Sequence, residues 1–176
     1  MSETSPASAS HHHRAGAAPR VPTAIITVSD TRTLENDTGG RCVAELLEAA
    51  GHPVVAREIA VDEPAAIVAA LRRALAREDV RAVVLTGGTG VAPRDVTPDS
   101  VEPLLERIIP GFGELFRMLS YEEIGSAALL SRALAGIAAG AVVFVLPGSR
   151  GAVQLALRKL ILPELGHLAA EALKRP

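Results

Sequence analysis

Apolar positions along this chain recur in two rhythms. Residues 24–28 (Ala-Ile-Ile-Thr-Val), 54–60, 82–85 (Ala-Val-Val-Leu) and 141–146 (Ala-Val-Val-Phe-Val-Leu) are short, mostly apolar runs rich in β-branched side chains. Runs of that length and type predict strands buried on both faces. Between them the spacing changes to that of helices. Val43, Leu46, Leu47 and Ala50 fall on one helical face, after a Gly39-Gly40 loop and before a stop at Gly51. Asp62, Glu63 and Pro64 signal the start of a helix whose stripe includes Ile67, Leu71 and Leu75. Thr97 before Pro98 predicts a capped helix carrying Val101, Leu104, Leu105 and Ile108. Residues 113–138 read as one helical stretch leading to the fourth strand, and Pro147-Gly148-Ser149 opens the closing helices, with Pro163 as a break. Strands alternating with helices predict an α/β fold with a mainly parallel sheet.

Composition narrows what such a fold can do. At 176 residues the chain fits one domain, and it carries 48% hydrophobic residues but only 2% aromatics and no Trp. The core must therefore be aliphatic, and the scarcity of aromatics argues against a stacking platform for single-stranded nucleic acid. A net charge of −2 and a pI near 6.2 give no overall attraction to phosphate backbones, so nucleic acid is not an expected partner. Cys42 is the single cysteine, which leaves no internal disulfide and no cysteine metal cluster, and it reads as a buried thiol. Residues 133–149 carry no charge, but Gly136, Gly140, Pro147 and Gly148 interrupt them, so no membrane span is expected. Without an apolar leader pattern the expected location is cytoplasmic. Residues 1–22, rich in Ser, Ala and Pro, read as a disordered tail ahead of a single domain at 23–176. The His11-His12-His13 run within that tail reads as adventitious.

Candidate chemistry gathers where parallel strands end, the edge at which ligands bind in such sheets. The four strand exits are Ser29-Asp30-Thr31, Asp62-Glu63, Thr86-Gly-Gly-Thr-Gly90 followed by Arg94-Asp95, and Pro147-Gly148-Ser149. The glycine stretch matches neither common phosphate loop: no Lys follows its last Gly, and no Gly stands three positions beyond. Its ingredients still suit anionic oxygen, with N–H groups at Gly87, Gly88 and Gly90, hydroxyls on Thr86 and Thr89, and helix starts at Thr97 and Ser149. Asp62 and Asp95 would repel an anion unless a hard cation came between, and Mg²⁺ favours a few carboxylates plus phosphate oxygens. Taken singly, Asp62 is a helix cap, Asp95 an ion pair with Arg94, Ser29-Asp30 a turn and Ser149 a cap. Their clustering at one edge indicates a ligand site without naming a substrate, while the glycine loop with its separated carboxylates points to metal-assisted phosphoryl or nucleotidyl transfer.

At these residues the sequence resembles the MoaB/Mog family of molybdenum cofactor biosynthesis proteins, which includes the molybdopterin adenylyltransferases. The matching stretches are Thr27-Val-Ser-Asp30, Asp37-Thr-Gly-Gly40, Val61-Asp-Glu63, Thr86-Gly-Gly-Thr-Gly90, Pro93-Arg-Asp-Val-Thr-Pro98, Pro110-Gly-Phe-Gly-Glu114, Leu130-Ser-Arg132 and Pro147-Gly148. The resemblance implies a three-layer α/β/α sandwich. It implies attack by the terminal phosphate of molybdopterin on the α-phosphorus of ATP, releasing pyrophosphate, with Mg²⁺ required. Asp62 and Asp95 match the acidic residues regarded as catalytic, here also the metal-holding pair. Ser29, Asp30, Thr86, Gly87, Gly88, Thr89, Gly90, Arg94, Ser131, Arg132, Pro147, Gly148 and Ser149 would bind pterin and nucleotide. A homotrimer, or a pair of trimers, is the implied assembly, with contact to a molybdate-insertion enzyme. Its contacts are expected to use the apolar residues of segment 112–124, including Phe112, Phe116, Met118, Leu119 and Tyr121. The alternatives are a catalytically silent molybdopterin-binding or scaffold protein, and an unrelated nucleotide hydrolase.

Overall fold

In the computed structural model, which describes residues 20–174, six strands form one sheet in the order β2-β1-β3-β6-β5-β4. β1 (Thr23–Val28), β2 (Val54–Ala60), β3 (Ala82–Thr86) and β6 (Ala141–Leu146) are parallel, as the apolar runs predict. Their side chains alternate between two cores. On one face Ile25, Val84 and Phe144 pack under α1 (Thr38–Ala49), α4 (Pro110–Ile124), α5 (Arg150–Ala156) and α6 (Leu162–Ala172). On the other, Ile26, Leu85 and Val145 pack under α2 (Pro64–Leu75) and α3 (Thr97–Val101). The fold is thus an α/β sandwich with helices on both faces of the sheet. Each fully buried Ile, Leu or Val contributes about 1.5–3 kcal/mol, so the aliphatic sheet supplies most of the driving force.

The largest departure from the sequence reading lies between residues 113 and 138. Only α4 is α-helical there. Gly125, at φ +62°, ends it, a 3₁₀ segment (Gly125–Leu130) follows, and Leu134–Ala138 forms β5, antiparallel to β6. β4 (Arg107–Ile108) pairs antiparallel with β5, where the pattern placed a helical residue at Ile108. These residues join the sheet because β6 would otherwise be an unpaired edge, and tertiary pairing overrides local periodicity. The β5–β6 connection is two residues, Ala139 and Gly140, both with positive φ (49° and 73°), the pattern of a type I′ hairpin turn.

Smaller corrections follow from hydrogen bonding. Gly39 and Gly40 are the first turn of α1 and not a loop, because buried Asp37 caps them: its Oδ1 accepts from Gly40 N–H at 2.8 Å. Asp37 Oδ2 also accepts from Thr27 Oγ1 at 2.8 Å and from Arg57 at 3.2 Å. Pro163 does not break the closing helix, since a π-helical turn (Leu157–Ile161) widens the spiral and Pro163 falls in the first turn of α6. Phe112 and Phe116 turn inward: their rings stack at 6.3 Å, Phe112 meets Phe144 at 5.5 Å, and so the three phenylalanines share the core. They are thereby removed from the expected interface. The expected tail, with its His11–His13 run, lies outside the described residues up to position 19. Val21 is already in the core, its N–H donating to His52 Nδ1 at 3.2 Å.

Candidate functional site

The exits of the four parallel strands meet as the sequence predicts, and the glycine loop after β3 is their centre. Gly87 has φ +104°, and a Cβ there would lie 2.3 Å from the Val28 carbonyl oxygen. Gly88 has φ +62°, and its Cβ would lie 2.4 Å from Thr97 Oγ1 and 3.2 Å from Asp62 Oδ1. Both the backbone angle and the space demand glycine at these two positions. The Gly87 N–H donates to the Leu146 carbonyl at 3.0 Å and the Thr97 N–H to the Gly88 carbonyl at 3.0 Å, which fixes the loop between β6 and α3. Thr97 is consequently drawn inside the helix start. Val96 takes the cap position, and the Thr97 hydroxyl is buried without a hydrogen-bond partner, contrary to its expected capping role.

Around this loop stand three carboxylates and one guanidinium. Asp30 and Asp62, at the ends of β1 and β2, hold each other reciprocally: Asp30 N–H donates to Asp62 Oδ2 at 3.1 Å, and Asp62 N–H to Asp30 Oδ1 at 3.0 Å. Asp62 is therefore no helix cap; Glu63 occupies that position without a side-chain bond. Arg94 pairs with Asp30, and not with its neighbour Asp95. The Asp95 carboxylate accepts from Ala92 N–H at 2.9 Å and lies 2.7 Å from where a Gly90 Cβ would be. Burial raises the Asp62 pKa above the usual carboxylate value, and the Asp30 charge adds to this; the Asp30 N–H and Arg94 oppose it, and Asp95 raises it slightly. An ionised Asp62 is thus held in a place that disfavours its charge, a state a cation or cationic ligand would relieve.

Two cavities flank the loop. One, about 320 Å³, is lined by Gly88, Thr89, Gly90, Asp95, Ser131 and Ser149 on its polar side and by Phe116, Ile124, Ala127 and Leu130 on its apolar side. The other, about 300 Å³, is lined by Ser29, Thr86 and Gly87 together with Thr27, Thr31, Arg32, Asp37 and Thr38. Gly148 borders both, and Pro147 the first. Ser149 also caps α5, accepting from Ala152 N–H at 3.3 Å, so its two readings coexist. Asp30, Asp62, Arg94 and Arg132 line neither cavity; the first three stand together beside the loop, while Arg132 turns into the chain. The wall residues Phe116, Ser120 and Ile124 are absent from the expected site residues, their segment being expected at an interface instead, because helix α4 carries no strand-exit signal. Asp37 sits in a quoted motif, and its position before Gly39-Gly40 marks it as a cap that also faces a cavity.

The family described as "Probable molybdopterin binding domain" matches residues 24–167. The chain belongs to the MoaB/Mog family. Molybdenum cofactor biosynthesis protein B of Halalkalibacterium halodurans is 49% identical over 163 residues, covering 92% of this chain and 96% of that protein. The protein of the same name from Bacillus anthracis is 52% identical over 160 residues, covering 90% and 95%. Among solved structures, the tungsten cofactor synthesizing protein MoaB from Pyrococcus furiosus superposes with a TM-score of 0.81 at 37% identity, over 90% of this chain and all of that one. The molybdopterin biosynthesis Mog protein from Mycobacterium ulcerans gives 0.77 at 27% identity, over 88% and 98%. In this MoaB/Mog fold the glycine loop, its two flanking carboxylates and both cavities lie within the matched span. Among the described residues no helix is long and apolar enough to cross a membrane.

Proposed function

We propose that this protein acts in molybdenum cofactor biosynthesis by transferring an adenylyl group from ATP to the terminal phosphate of molybdopterin. The observation that carries this reading is the placement of Asp62 at Gly88 and Asp95 at Gly90, one carboxylate at each end of a single glycine loop. In the reaction a phosphate oxygen of molybdopterin forms a bond to the α-phosphorus of ATP, the α–β bridging bond breaks, and pyrophosphate leaves. The attacking phosphate is already ionised, so no general base is needed; what the chain must supply is alignment and charge compensation. Gly148 borders both cavities, so ligands seated in the two would approach each other there. The hydroxyls of Thr86 and Thr89 and the loop N–H groups of Gly88 and Gly90 orient phosphate oxygens, whereas the Gly87 N–H, expected to be free, is held by the Leu146 carbonyl; Ser29 and Ser131 offer hydroxyls from opposite sides.

The donor set fits Mg²⁺. Asp62 and Asp95 are hard oxygen ligands, and among the described residues no cluster of three or more His, Cys, Asp or Glu forms a full protein cage. A cation that takes one or two carboxylates and completes its shell with phosphate oxygens and water matches that set. When bound it would neutralise charge on the phosphates. The working form we propose is a homotrimer in the cytoplasm, handing its adenylylated product to a molybdate-inserting enzyme.

Purified protein incubated with molybdopterin, ATP and Mg²⁺ tests the reading directly. Stoichiometric pyrophosphate, formed only when the pterin is present, is the expected result. Pterin binding without pyrophosphate would replace the enzyme by a silent binding protein, and ATP turnover without pterin would make it a nucleotide hydrolase.

A further inference from the structure

Arg132 stands two residues before β5 and spends its side chain on the loop that carries Asp95. Its Nε donates to the Gly90 carbonyl at 2.8 Å, and Nη2 donates to the Asp95 carbonyl. Nη1 donates to both carboxylate oxygens of Asp99, at 3.0 and 2.8 Å. Its main-chain N–H donates to the Thr89 carbonyl at 3.0 Å. All three guanidinium nitrogens are thus engaged by the chain, and the side chain lines neither cavity. A guanidinium is suited to this work because its planar fork addresses several acceptors at once.

The two carbonyls it holds belong to the two residues that define the Asp95 carboxylate position. Gly90 forms the floor against which Asp95 Oδ2 rests, at a distance only an absent Cβ permits. Residues 91–94 between them are exposed, and their internal bonds are short-range: Asp95 N–H to the Ala92 carbonyl and Ala92 N–H to the Asp95 carboxylate. From outside the loop come the surface ion pair of Arg94 with Asp30 and the Arg132 fork. We propose that Arg132 is a positioning residue for Asp95, clamping Gly90 and Asp95 at a fixed separation, and that Asp99 holds the fork to this task. It follows that Arg132 orders the site without binding the anionic substrate. The inference rests on the catalytic role given to Asp95 above.

Two substitutions test it, one inside the clamp and one outside the site. Arg132→Lys keeps the charge but cannot span the same acceptors. It is expected to lower kcat by about 10- to 100-fold, the scale of a small misplacement of a reacting group, with KM for ATP changed by less than about threefold. Asp99→Asn, at an exposed position, should lower kcat in the same direction by about 3- to 10-fold, and the double variant should lose little beyond Arg132→Lys alone. In both, amide hydrogen exchange across 90–95 should quicken relative to the strands. A rise in KM at normal kcat would show that Arg132 binds substrate, and overturn the proposal. So would unchanged exchange in the loop, or an Asp99→Asn protein identical to the parent. If the parent itself releases no pyrophosphate, the adenylyl-transfer reading fails, while the exchange measurement still decides whether Arg132 and Asp99 hold the Asp95 loop.

Discussion

Asp62 carries the sharpest residue-scale expectation, because its placement favours the neutral carboxyl. Burial and the neighbouring Asp30 raise its pKa. A group so raised contributes stability below its unfolded pKa and loses it as pH rises through the folded value, so at neutral pH ionised Asp62 is a cost to the fold. Asp62→Asn should therefore keep or raise the melting temperature without Mg²⁺, since the amide oxygen can still accept from Asp30 N–H. The same change should cut adenylyl transfer by about a hundredfold, near 3 kcal/mol of transition-state stabilisation. Full activity in a stable Asp62→Asn protein would remove the role proposed for it. At this scale the sequence was informative about which residues meet, because strand exits converge by topology: Asp62, Asp95 and the glycines were legible. Their partners were not. Arg94 beside Asp95 reads as a local pair, yet it bridges to Asp30, 64 positions away. The Arg132 fork likewise depends on a loop conformation that no spacing announces.

At the scale of elements, α1 shows how one buried carboxylate secures both a helix and a cavity wall. Asp37 is 2% exposed and serves the Gly40 N–H, the Thr27 hydroxyl and Arg57 together. Asp37→Ala removes the cap and strands a partly buried guanidinium, so a loss of about 2–4 kcal/mol in urea unfolding is expected. Asp37→Asn, which keeps a capping oxygen, should recover part of it; equal loss in both would refute the capping contribution. The end of α1 gives a pH dependence. His52, 5% exposed, accepts the Val21 N–H through Nδ1, and burial lowers its pKa. A lowered histidine leaves the unfolded chain binding more protons, so stability is complete above the ordinary value near 6.5 and declines as pH falls below it. His52→Gln should flatten that decline between about pH 6.5 and 5, read by thermal melts. The elements least legible were β4 and β5. Residues 113–138 contain few turn signals, and Gly136 reads as a weak helix position. In the fold, a Cβ on Gly136 would lie 2.5 Å from the Arg107 carbonyl, so its absence admits β4.

For the whole molecule, the exposed apolar side chains decide the expected assembly. Leu115, Met118, Tyr121 and Ile124 recur every third residue of α4 on its open side, and Leu129, 79% exposed, and Leu130 extend them. An apolar surface of this kind marks association. Met118→Glu with Leu129→Glu should convert the proposed trimer to a monomer at micromolar concentration by light scattering, with little change in secondary structure. A parent protein that is monomeric under the same conditions would refute the assembly. Composition showed that aromatic and Met side chains concentrate in this segment, but not which of them the core would claim. The two-residue turn at Ala139-Gly140 reaches further than its size suggests. Every parallel pairing in the sheet waits on a crossover of tens of residues, whereas β5 and β6 are neighbours in the chain and can zip within microseconds. β6 then presents a ready edge to β3, so folding is expected to start at this end and spread toward β2. Gly140 has φ +73°, and a Cβ there would meet only Leu173 Cδ2, at an ordinary contact distance of 3.8 Å, so Gly140→Ala adds strain of about 1 kcal/mol without a clash. If the hairpin leads, that penalty appears as refolding slowed about fivefold with nearly unchanged unfolding. If the turn closes last, the unfolding rate would rise instead, and the order in which this sheet assembles would be the reverse.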